Sequence, residues 1–142
     1  MPYAAKQDLI DRFGQQELID LTDRATPQTG AIDDTVLARA LADADAEING
    51  YLASRYTLPL ASTPDSVKMM ACNIARYYLY EDRATEQVRV RYEDAIKFLK
   101  SVASGTCTLG LDPASAPVAT DGGALAAGVD RIFDRDTLSD YA

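Results

Sequence analysis

Histidine is absent from this 142-residue chain. With it go the usual general base, the usual metal ligand and the usual partner of a nucleophilic serine or cysteine. That counts against catalysis without excluding it, a metal-dependent enzyme on Asp43 and Glu47 being the form left open; no enzyme and no cofactor are expected. Cysteine is scarce. Cys72 falls on the apolar side of an expected helix, Cys107 lies in a Gly/Thr stretch, and no CxxC spacing joins them. A buried thiol and a loop thiol in a reducing compartment are expected. Basic charge is short as well. A formal net charge of -8 argues against general binding to a phosphate backbone, which needs a basic face to release counterions; contact with DNA that must slide freely is compatible with it. Long apolar runs are missing, and the opening MPYAAKQDL turns polar and acidic at once, so neither a secretory signal nor a membrane span is expected. The signatures GxxxxGKS/T, GxGxxG and GxSxG and any zinc spacing are also lacking.

The chain is organised around residues 71–100, ACNIARYYLYEDRATEQVRVRYEDAIKFLK. Apolar side chains fall at Val67, Ala71, Ile74 and Tyr78, and again at Val88, Tyr92, Ala95, Leu99 and Val102. This three-and-four spacing predicts two amphipathic helices. Between them stands an acid-acid-base corner, Glu81, Asp82 and Arg83, and the two helices form a hairpin. The first is apolar or aromatic on most sides and should be the central helix. Tyr77, Tyr78 and Tyr80 carry hydroxyls that need partners, which places them at an edge or a contact.

Ahead of the hairpin, Lys6–Phe13 and residues 15–23 read as two short helices split by Gly14, each too short to persist alone. The Pro, Gly and Thr content of residues 24–31 marks a loop. Asp33 then offers an N-cap behind an apolar Ile32, and a long helical run extends to Tyr56 with Leu37, Leu41, Ala44 and Ile48 on one face. Alanines at 38, 40, 42, 44 and 46 permit close approach of a neighbour. Pro59 ends any helix in residues 57–64. The central helix should run from Asp65 or Ser66 to about Glu81, and Thr85 should cap the next.

The character changes after residue 104. The last 38 residues hold five of the eight glycines, and their six aspartates against Arg131 and Arg135 give -4, half of the net charge. A segment with isolated apolar residues cannot build its own core. The expected architecture is thus all-α: a bundle of about five helices over residues 1–104, and an extended arm over residues 105–142 that orders on a partner or neighbouring subunit. Leu109, Leu111, Val129, Ile132 and Phe133 are its candidate docking residues, in strand or helix conformation.

Asp43, Asp45 and Glu47 are the acidic set that a hard-cation site would use. Only Asp43 and Glu47 share a helix face, and a solvated face with an Arg39–Asp43 pair explains them more simply. The loop ending Gly30, Ala31, Ile32, Asp33 has the second half of a calcium-loop pattern, but Ala25, Pro27 and Thr29 stand where ligands belong; no metal site is expected. Arg83, Arg89 and Arg91 interleave with Glu81, Asp82 and Glu86, which suits intrahelical and intersubunit ion pairs better than a nucleic-acid groove. Glu81, Asp82, Arg83, Arg89 and Arg91 are the candidate intersubunit contacts.

Three segments, QDLIDRFGQQELIDLTD, VLARALADADAEINGYLASRYTLPL and CNIARYYLYEDRATEQVRVRYEDAIKFLK, resemble in order and spacing the head-tail connector (neck adaptor, or head-completion) proteins of tailed bacteriophages. The nearest likeness is to the small acidic protein of Mu-like phages and prophages. The chain departs at residues 25–29, where Mu-like relatives often carry Asp and Gly. The resemblance implies a helical bundle that assembles as a dodecameric ring below the portal and extends the DNA channel toward the tail. Its partners would be the portal protein and a tail-side neck or tail-terminator protein. DNA would pass without specific binding and no membrane would be involved. The location implied is the virion neck, after assembly in the host cytoplasm. The competing expectation is an acidic helical regulator or DNA mimic, motivated by the net charge.

Overall fold

Residues 2–111 are described by a computed structural model, and all structural statements concern them. They form five α-helices: α1 (Lys6–Phe13), α2 (Gln15–Thr22), α3 (Asp34–Leu52), α4 (Asp65–Tyr80) and α5 (Glu86–Ser104), with a 3-10 turn over Glu81–Arg83 between the last two. No strand occurs among the described residues, so the all-α bundle expected from the periodicity is the fold.

Local chemistry sets the helix ends. The Asp33 carboxylate accepts from the Thr35 and Val36 N–H groups at 2.9 and 3.2 Å, satisfying two free donors at the start of α3. Thr85 does the same for the Val88 N–H at 3.4 Å. At the start of α1 the cap position is Ala5, and the tie is reversed: the Ala5 N–H donates to the Asp8 carboxylate at 2.8 Å. Gly14, at φ +91°, turns the chain between α1 and α2. Gly105, at φ +84°, closes α5, and the Thr106 and Cys107 N–H groups fold back onto the Ser101 carbonyl. A side chain there would also collide with the Arg55 guanidinium.

α4 is covered by α1, α2, α3 and α5, with its broadest packing against α3. Val67, Met70, Ala71, Ile74, Ala75 and Leu79 recur at three-and-four spacing as its buried stripe, and Cys72 is buried on another side. Ala40 and Ala44, the buried members of the alanine-rich run, leave room for α4 to approach α3, while Leu37, Ile48 and Leu52 fill the space on either side. From α5 come Ala95, Leu99 and Val102. Leu9 and Leu18 are wholly buried and anchor the two eight-residue helices, each side chain contributing about 1.5–3 kcal/mol. No helix among the described residues is long and apolar enough to cross a membrane.

Two tethers hold what lies outside the helices. Tyr3 pins the N-terminal segment to α3: its N–H donates to Asp45 Oδ1 at 3.0 Å and its hydroxyl to Asn49 Oδ1. The loop between α2 and α3 is closed at its neck. Thr22 Oγ1 donates to the Leu18 carbonyl at 2.7 Å and accepts from the Asp33 N–H at 2.9 Å. Asp23, nearly buried, accepts from the Gly30 N–H at 2.7 Å.

The packed body continues past Ser104, where the composition changes. Leu109 is 7% exposed within the core, Leu111 packs against it, and the Leu109 N–H donates to the Tyr56 hydroxyl at 3.0 Å. Both leucines were expected in the arm, and here they belong to the bundle, which reaches at least Leu111. Val129, Ile132 and Phe133 lie outside the described residues.

Replacing Tyr56 with Phe leaves a buried amide without its acceptor. We expect a loss of about 1–3 kcal/mol in urea unfolding, and a chain ended after Ser104 to be less stable than one ended after Leu111. Equal stability of these two truncated chains would show that residues 105–111 contribute nothing to the body.

Candidate functional site

The corner Glu81–Arg83 is exposed at the end of the α4–α5 hairpin. Glu81 has φ +51°, a left-handed conformation that costs a non-glycine residue about 1–3 kcal/mol. Such a conformation persists only when its surroundings fix it, and here they do. Arg24, from the loop after α2, donates from Nη1 to Glu81 Oε1 at 2.6 Å and from Nη2 to the Leu79 carbonyl at 3.4 Å. One guanidinium thus holds the corner carboxylate and an unpaired carbonyl of the last turn of α4.

Behind the corner, two glutamates brace the last turns of α4 from opposite sides. Glu17 of α2 accepts from Arg76 Nε at 2.6 Å and from the Tyr80 hydroxyl at 3.0 Å. The Arg76 guanidinium also lies 4.3 Å from the centre of the Phe13 ring, so this node joins α1, α2 and α4. Glu47 of α3 accepts from the Tyr78 hydroxyl and, at 3.0 Å, from the Tyr92 hydroxyl, joining α3, α4 and α5. Tyr77 completes it by stacking on Tyr92, ring centres 4.0 Å apart and 9° from parallel. Burial and the adjacent Glu47 carboxylate push both hydroxyls up, Tyr92 to about 12 and Tyr78 further. Tyr80 is also raised, by burial and by Glu17.

The expected site residues divide accordingly. Glu81, Asp82, Arg83, Arg89 and Arg91 are all exposed. Glu81 is engaged by Arg24, and Arg89 lies 3.8 Å from Glu86 one turn away. Asp82, Arg83 and Arg91 form no ion pair among the described residues. Arg83 lines a notch of about 480 Å³ with Asp20, Asp23, Arg24 and Tyr80, and Arg91 lies away from it, on a groove between α1, α4 and α5. The Arg39–Asp43 pair is not formed. Asp43 is exposed and solvated, whereas Asp45 receives Tyr3 and Glu47 receives the two tyrosines. Among the described residues no three side chains cluster as metal ligands. Sequence reasoning missed Arg24, Glu17 and Glu47 as braces of the corner. Their partners lie 31 to 63 residues away, and only the unmet need of the tyrosine hydroxyls hinted at them.

Residues 3–127 match the family described as Bacteriophage Mu, Gp36. The chain belongs to the phage Mu Gp36 family. Among its relatives, the Haemophilus influenzae protein named Mu-like prophage FluMu protein gp36 is 37% identical over 139 residues, covering 98% of this chain and 97% of its own. Gene product J of Escherichia phage Mu is 39% identical over 116 residues, covering 82% of each chain. In this Gp36-family member the matched span takes in the whole bundle, the braced corner included.

Glu47→Ala strands two half-buried hydroxyls and should cost about 1–2 kcal/mol in urea unfolding, more than Tyr92→Phe alone. Alkali should act on the same node. Above about pH 10 the unfolded chain releases tyrosine protons that the folded chain keeps, so it binds fewer protons and stability falls as pH rises. For Tyr92 the loss should run from about pH 10 to about 12, and Tyr92→Phe should flatten the fall of melting temperature in that window. An unchanged slope would show that the hydroxyl titrates as freely as in the unfolded chain.

Proposed function

We propose that this chain is a structural head-tail connector of a tailed phage, a non-enzymatic adaptor that forms a ring below the portal, extends the DNA channel and joins head to tail. The observation that carries this reading is the likeness, over nearly the full length of both chains, to a protein of a Mu-like prophage, taken together with the segment order that resembles connector proteins. The geometry supports it. A ring subunit needs a rigid body with a fixed projecting contact, and here Arg24, Glu17 and Glu47 brace the corner and the end of α4 from a loop and two helices. Asp82 and Arg83 are exposed beside it with opposite charges, ready for complementary charges on a neighbouring subunit. Arg89 extends the same contact along α5, while Arg91 lies away from it on the groove between α1, α4 and α5.

The proposed partners are further copies of the chain, the portal protein, and a neck or tail-terminator protein on the tail side. Within the ring, an acidic lining repels phosphate and lets DNA slide. Docking on the portal falls to the segment beyond Leu111, with Val129, Ile132 and Phe133 as its apolar anchors, since Leu109 and Leu111 are taken up by the bundle. The proposed location is the virion neck, reached after assembly in the host cytoplasm.

Purified chain mixed with portal protein should give ring-shaped complexes by electron microscopy. Arg83→Glu should reduce ring formation several-fold while leaving the helical circular dichroism unchanged. Failure to associate with portal, together with virions that lack the protein, would remove the connector reading. Salt-dependent capture of a basic DNA-binding protein in its place would favour an acidic regulator.

A further inference from the structure

A second surface of the bundle is unfilled. Between α1, α4 and α5 lies a groove of about 590 Å³ whose apolar floor includes Phe13, Met69, Met70 and Phe98. Met69 is 45% exposed there, more than any other large apolar side chain among the described residues. Three charges border it: Arg12, Arg91 and Asp94. Neither arginine forms an ion pair among the described residues, while Asp94 has only a long contact, 3.8 Å, with the exposed Lys97. An apolar floor with two unpaired cations on its rim fits an apolar segment flanked by carboxylates.

The chain carries such a segment. Residues 129–138 read VDRIFDRDTL. Val129, Ile132 and Phe133 supply apolar bulk, Asp130, Asp134 and Asp136 supply the carboxylates, and Arg131 and Arg135 offer partners to Asp94. The segment lies just past the residues matched by the family, which end at 127. Seventeen residues, 112–128, separate it from Leu111, which is packed on the body. A tether of that length spans up to about 60 Å, against a body of about 13 Å radius of gyration. The groove of the same chain is therefore within reach, at an effective concentration on the order of millimolar. A second copy at micromolar concentration competes poorly with that.

We propose that in the free chain residues 129–138 occupy the α1–α4–α5 groove of their own chain, with Ile132 and Phe133 on the apolar floor and the aspartates facing Arg12 and Arg91. Apolar surface is thereby covered until a partner claims the segment. The inference concerns the isolated chain and does not depend on the connector reading, because it is tested with no phage component present.

The experiment places a benzophenone amino acid at position 133 of the full chain. The chain is irradiated at micromolar concentration, and the products are mapped by mass spectrometry. Monomeric adducts on Met69, Met70 or Phe98 are expected. Arg91→Glu should lower their yield about threefold, the size of one exposed ion pair, and adding Asp134→Lys should restore it. Adducts confined to a dimer, adducts elsewhere on the chain, or no adduct at all would overturn the proposal. So would a yield unmoved by the charge changes in a variant whose circular dichroism is intact.

Discussion

α4 has almost no side that water can keep. Once it is helical, its buried stripe, Cys72 and the flanking tyrosines all demand cover, and the other four helices are placed by that demand. The long helices α3 and α5 supply most of it, and α1 and α2, at eight residues each, exist as helices only because they complete the cover. Burial alone is non-directional, and a helix can slide or rotate on an oily surface at small cost. Direction comes from Glu17 and Glu47. Of the four bonds these carboxylates accept, three come from α4 and one from α5, so rotating α4 by one position would break three of them at once.

Where the determinants are local, the sequence announces them. Asp33 and Thr85 cap the helices they were expected to cap, Gly14 separates the first two helices, and the central helix marked by the apolar spacing of Val67 to Tyr78 ends within a residue of where it was expected to. Where they are distant, the local reading chooses wrongly or not at all. Arg39 and Asp43 stand one helical turn apart, which makes them look like a pair, but both are exposed and water serves them as well. Leu109 and Leu111 follow a drop in helical character, which makes them look like tail. Burial is set by the Tyr56 hydroxyl and the core beside it, 53 residues back, and composition does not report that. The corner was legible as an exposed charged turn. Its fixed shape was not, because Arg24 comes from a loop whose sequence gives no sign of what it will meet.

The proposed intersubunit contact rests on that braced corner. An exposed turn of three charged residues would ordinarily sample many shapes, and a contact built on it would lose much of its energy to ordering. Here the Arg24–Glu81 pair and the braced end of α4 supply part of that ordering before any partner arrives. The backbone that carries Asp82 and Arg83 is thereby anchored to the hairpin, and the proposed ring of identical subunits would draw on that anchoring.

The neck of the loop between α2 and α3 has a consequence for how the family can diversify. Three bonds close it: Thr22 to the Asp33 amide, Asp23 to the Gly30 amide, and Thr22 back to its own helix. No side chain between Ala25 and Thr29 takes part. The entropy of a closed loop grows only as the logarithm of its length, so residues can be exchanged or inserted there while α3 keeps its place on α4. The side chains at its start, Thr22, Asp23 and Arg24, cannot be traded so freely. Natural variation should thus pool in a five-residue window whose borders are drawn by hydrogen bonds, making it the place where related phages can acquire new surface chemistry without redesigning the body that carries it.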